Sequence, residues 1–93
     1  MTYADADIRA RLASLPGWDY DGRDIVRTLE CASFLAAVAL IDAVAQAAQA
    51  ADHHPDIDLR YNRVRFALHT HSEGGITDRD FALAHRINQL SAA

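Results

Sequence analysis

A single cysteine, Cys31, leaves no disulfide framework and no cage of thiolate metal ligands, which favours a reducing compartment. Met1 to Leu15 lacks the unbroken apolar core of a signal peptide, because Asp5, Asp7, Arg9 and Arg11 interrupt it. No long run reads as a membrane span either. The least polar stretch, Ala32 to Ala51, is broken by Ser33, Asp42, Gln46 and Gln49 and is rich in alanine rather than leucine. Basic runs are missing, and the formal net charge is -4, so nothing clusters Lys or Arg as a nucleic-acid surface requires. There is no internal repeat and no low-complexity linker. What remains is 93 residues, half of them hydrophobic and a quarter charged, read as one globular cytoplasmic domain spanning 1–93. A chain of this size buries only a modest core, and association with its own copies helps it.

The patterning predicts α-β-β-α-β-β-α. Ile8, Leu12 and Leu15 space a short amphipathic helix over Asp5 to Leu15, ended by Pro16-Gly17. Trp18 to Tyr20 and Ile25 to Leu29 read as strands joined by a hairpin at Asp21-Gly22. Ser33 caps a long helix from Phe34 to Ala51, with an expected inward stripe of Phe34, Val38, Ile41, Ala45 and Ala48, broadened by Leu35 and Val44. Its alanines are read as packing or a subunit contact. Ile57, Leu59 and Tyr61 alternate with polar residues, as do Val64, Phe66 and Leu68, so two more strands turn at Asn62-Arg63. Thr77 opens the last helix, with Asp80 three positions on as in a capping box, and its stripe is Leu83, Ile87 and Leu90. Two hairpins joined into one four-stranded antiparallel sheet, with helices covering one face, make an α+β fold.

Three of the five histidines stand where the chain changes direction: His53 and His54 after the long helix, and His71 after the last strand. Pro55 pushes His54 into extended geometry, so the two neighbouring rings diverge and have different jobs. The carboxyl end of the preceding helix favours a protonated imidazole, and hence a general acid. Asp80 shares its stripe with Leu83, Ala84 and Ile87 and so faces inward, where a carboxylate needs a partner. That partner is either the backbone amide of the helix start or a histidine that Asp80 orients. Gly74-Gly75 supplies unusual backbone angles for a tight return, the alternative being a phosphate cradle. His69 and His85 read as peripheral. Strict alternation puts His71 on the same polar face as His69, so that either the site lies at the end of the sheet or the strand twists there. Asp52, Asp56 and Asp58 flank the histidine pair, and a carboxylate with His71 would suit zinc or iron, although adjacent histidines rarely bind one ion.

Taken together, Asp52-His53-His54-Pro55, Tyr61-Asn62 with Val64, Thr70-His71, Gly74-Gly75-Ile76-Thr77 and Asp80 resemble the pterin-4a-carbinolamine dehydratase family. Leu15-Pro16-Gly17-Trp18, and Phe34 with Ala37, fit the same pattern, so the resemblance spans nearly the whole chain. It implies an α+β fold that assembles as homodimers or homotetramers. It also implies a lyase that converts 4a-hydroxytetrahydropterin to quinonoid dihydropterin and water. Such an enzyme recycles the tetrahydrobiopterin cofactor of aromatic amino-acid hydroxylases, with no metal or bound cofactor of its own.

By the same resemblance, His53 and His71 match the acid/base histidines, His54 the one that mainly holds substrate, and Asp80 the site aspartate. His54, Pro55 and Thr70 are then expected substrate contacts, and Trp18 either an aromatic neighbour of the site or a core residue. The sequence departs from the family at Gln49, often Glu, and at Leu29 and Cys31, where phenylalanines are common. The competing reading is a non-catalytic binding module of the same fold, since family members also act as dimerisation partners of a homeodomain transcription factor. The third is a small metalloprotein.

Overall fold

A computed structural model describes residues 1–92. The order is α1 (Asp5–Leu12), β1 (Asp19–Tyr20), β2 (Ile25–Glu30), α2 (Phe34–Ala51), β3 (Asp56–Arg60), β4 (Arg63–Leu68), a 3-10 turn (His71–Glu73) and α3 (Asp78–Ser91). The four strands form one antiparallel sheet in the order β1-β2-β4-β3. The two hairpins meet through β2 and β4, from Ile25 opposite Leu68 to Glu30 opposite Arg63. One face of the sheet presents Ile25, Val64, Phe66 and Leu68 to a core completed by Ile8 of α1, Val44 and Ala48 of α2, and Phe81, Leu83, Ala84 and Ile87 of α3. The opposite face carries Thr28, Glu30, Asp58, Arg60, Arg63 and Arg65, as the strand period of two requires.

Three local expectations are corrected. The first helix stops at Leu12, not Leu15, because its last turn tightens into three-residue hydrogen bonds at Ala13, Ser14 and Leu15 ahead of Pro16. The second hairpin turns one residue earlier than expected, at Tyr61-Asn62, with Arg60 paired to Arg63. Asn62 is clipped to the end of β2: its amide donates to the Cys31 carbonyl (2.9 Å), and the Cys31 N–H donates to the Asn62 carbonyl (2.8 Å). A two-residue turn then needs left-handed backbone, which Tyr61 adopts at φ 54°.

The third correction concerns α2. Its inward face is Ala37, Val44 and Ala48, flanked by Leu40, Ile41 and Ala47, while Phe34, Leu35 and Val38 are exposed. Small residues let the helix approach the sheet and α3 closely, and the large residues of its first turns are left outside. By length and composition α2 could cross a membrane; here it lies on the sheet as one layer of the core.

Candidate active site

His53 owes its position to the way α2 ends. Asp52 takes the left-handed conformation (φ 51°), the Asp52 N–H donates to the Gln49 carbonyl and the His53 N–H to the Ala48 carbonyl. This is the six-to-one closure of a Schellman motif, with Asp where glycine is usual. It reverses the chain so that His53 turns back under the helix, leaving the residue 7% exposed. Arg79 of α3 donates to the Asp52 carbonyl and ties the reversal to the start of the last helix.

Asp80 meets His53 there. Thr77 caps α3, accepting from the Arg79 N–H, and Asp80 reaches back to accept from the Thr77 N–H (2.9 Å). Both partners that the sequence left open for Asp80 are present. Its other oxygen, Oδ1, lies 2.6 Å from Nε2 of His53, and Oδ2 also accepts from the Thr70 hydroxyl at 2.7 Å. Thr70 and Thr77 hydroxyls are 2.8 Å apart. With one proton per hydroxyl, the order is fixed: Thr77 donates to Thr70, and Thr70 donates to Asp80. The fully buried carboxylate accepts throughout and sits at a helix N-terminus, so its negative charge is compensated without a cation. Nε2 of His53 therefore carries the proton, and Nδ1 is the nitrogen left for exchange.

Beside His53 is a cleft of about 220 Å³ walled by Ala47 and Ala51 of α2 and Arg79, Ala82, Leu83 and Arg86 of α3. His54 and His71 are not in its wall. His54 is exposed and lies 3.0 Å from Oε1 of Gln49, the position that departs from the family pattern. Pro55 is half-buried beside it. His71 is exposed at the start of the 3-10 turn, its ring 4.9 Å from that of His69, as alternation along β4 predicts. Its neighbour Thr70 is bonded to Asp80, so two hydrogen bonds link the His53 ring to the residue preceding His71.

Two of the expected contacts are buried, Trp18 in the core that was the other reading of it. Trp18 is buried in the core and its indole N–H donates to Asn88 (2.8 Å), two helical turns, or about 12 Å, beyond Asp80 along α3. Thr70 is buried too, its hydroxyl committed to Asp80 and Thr77, so its side chain has no free face for a ligand. Gly74 takes φ 70° at the close of the 3-10 turn, and Thr70 and Gly75 form a bridge, which is the tight return expected there. Among the described residues, no three histidine, cysteine or carboxylate groups are arranged as metal ligands.

Sequence reasoning missed the role of Thr77 as the second hydroxyl in the chain, and it set aside His69. The Asn88 hub that holds Trp18, Arg27 and the Pro16 carbonyl carried no local signal at all.

A pair of this kind, a histidine whose one nitrogen is held by a buried carboxylate while the other is free, is an arrangement suited to proton transfer. Residues 1–90 match the sequence model of the family described as pterin 4 alpha carbinolamine dehydratase. A protein of Chloroflexus aurantiacus, provisionally named pterin-4-alpha-carbinolamine dehydratase, is 52% identical over 87 residues, covering 94% of each chain. One of Nocardia farcinica with the same provisional name is 50% identical over 88 residues, covering 95% of this chain and 93% of that protein. The solved structure of a transcriptional coactivator/pterin dehydratase from Brucella melitensis superposes with a TM-score of 0.91 at 34% identity, over 97% of this chain and 98% of that one.

Proposed function

Because the chain belongs to the pterin 4 alpha carbinolamine dehydratase family, we propose that residues 1–93 act as one carbon–oxygen lyase domain that dehydrates 4a-hydroxytetrahydropterin to quinonoid dihydropterin. In this reaction the C4a–O bond breaks, the hydroxyl takes up a proton and leaves as water. The proton on N5 departs, and its bonding pair forms the new N5=C4a double bond. One proton is given and one taken, so the enzyme ends as it began and needs no redox cofactor. His53 and His71 exchange these protons, and His54 with Pro55 holds the flat bicyclic ring. Asp80 acts through His53, fixing its tautomer so that Nδ1 faces the reaction. The observation that carries this reading is the buried 2.6 Å His53–Asp80 pair, which engages one ring nitrogen of His53 and leaves the other unbonded within the chain.

The substrate would come from an aromatic amino-acid hydroxylase in the cytoplasm, and the enzyme would work as a homodimer or homotetramer. A second reading, a protein-binding module of the same fold, draws support from the exposed Phe34, Leu35 and Val38 of α2. Stopped-flow dehydration of 4a-hydroxytetrahydropterin separates them. The wild type is expected to outrun the spontaneous reaction, His54→Ala to be slower, and the pair His53→Ala/His71→Ala to fall to background. Asp80→Asn should cost about a hundredfold, because the amide presents the wrong partner to Nε2. Decay by the wild type no faster than in buffer would reject the enzyme and leave the binding module.

A further inference from the structure

His71 differs from His53 in one respect that matters for proton transfer: it is exposed and stands on a short turn, without a carboxylate against its ring. What it does meet is His69, and His69 is anchored. Its side chain is 12% exposed, and its Nδ1 lies 2.9 Å from the Arg23 carbonyl and 3.3 Å from Oδ1 of Asp24. Both neighbours are acceptors only, so Nδ1 carries the proton and the ring is held in one tautomer and one orientation. Oδ1 of Asp24 is buried and has no hydrogen-bond partner among the described residues, so its approach to Nδ1 is a contact of charge and not a hydrogen bond. Arg23 and Asp24 are in turn fixed by Asp21, whose Oδ1 accepts from both of their N–H groups at 2.9 and 2.7 Å. The first hairpin therefore grips His69, and the His69 ring lies against that of His71, with centroids 4.9 Å apart and planes tilted by 47°.

We propose that His69 is the positioning residue for His71: the Arg23 carbonyl, with the Asp24 carboxylate close by, holds the His69 ring, and that ring restricts His71 to the orientation in which it exchanges a proton. The two imidazoles of the reaction would then be aimed in different ways, His53 directly by Asp80 and His71 by a second ring held against the first hairpin. This inference rests on the dehydratase reading for its kinetic consequence, but not for the contact itself.

Two measurements test it on the full chain. In stopped-flow assays His69→Ala should lose about tenfold in kcat with KM nearly unchanged, since aim and not affinity is lost. His69→Phe, which keeps a ring beside His71 but has no donor for the Arg23 carbonyl, should recover only part of that loss. In carbon relaxation measurements on the histidine rings, the His71 ring should be more mobile in His69→Ala than in the wild type. If His69→Ala does not fold, His69→Asn replaces it, keeping a donor for Arg23 and Asp24 without the ring, and should behave like the alanine variant. Equal mobility of His71 with and without the His69 ring overturns the proposal, as does a loss carried wholly by KM. A wild type without dehydratase activity defeats the reaction and not the contact, because the relaxation comparison still decides whether His69 holds His71.

Discussion

At the scale of single residues, acidic side chains that accept from backbone N–H groups organise this molecule. Asp21 takes the N–H groups of Asp24 and Arg23, and these bonds, helped by nearby Arg65, hold its carboxyl below the ordinary value of 3.8. A lowered value means that the carboxylate's contribution to stability is whole above the ordinary value and is lost as pH falls through the lowered one. Calorimetric unfolding followed from neutral to acid pH should therefore show Asp21→Asn losing less stability on the acid limb than the wild type. The variant keeps an acceptor oxygen but cannot titrate. Parallel acid limbs would mean that Asp21 does not feel its hairpin. Asp80 was legible because helical spacing alone turned it inward among Leu83, Ala84 and Ile87. Asp24 and His69 were not: they meet 45 positions apart in the chain (69 − 24), and only the pairing of β2 with β4 brings them together.

At the scale of elements, α2 is defined at both ends by local chemistry. Ser33 accepts from the Ala36 N–H at 3.0 Å, and Asp52 closes the other end with left-handed backbone. An L-residue pays conformational strain there that glycine avoids. Asp52→Gly should accordingly raise the unfolding free energy by about 0.5–1 kcal/mol in urea titrations. A decrease would show that the Asp52 side chain contributes more than its backbone strain costs. The element order was readable because hairpins and caps are short-range signals, and Ser33, Thr77 and Asp21-Gly22 each sit where they were expected. The buried face of α2 was not readable. A helix apolar on nearly every side has no periodicity to follow, and its bulky Phe34, Leu35 and Val38 mark the wrong face. The Tyr61 turn was missed for a related reason, since the partner that fixes Asn62 is Cys31, just past the end of β2 and 31 positions away.

For the whole molecule, the first turns of α2 group several exposed apolar side chains: Leu35 is 75% exposed and Phe34 47%. A small domain gains by covering such a surface with another copy. Leu35→Glu should leave the fold intact, because the residue touches little of its own core, and shift sedimentation toward the monomer. An unchanged mass would move the contact elsewhere. The same scale gives the hydrogen bonds of Asp80 a wider meaning. One carboxylate both opens α3 and grips the ring that follows α2, so closing the architecture and arming the imidazole are a single event. Whatever loosens the start of the last helix therefore also releases the His53 ring from its carboxylate.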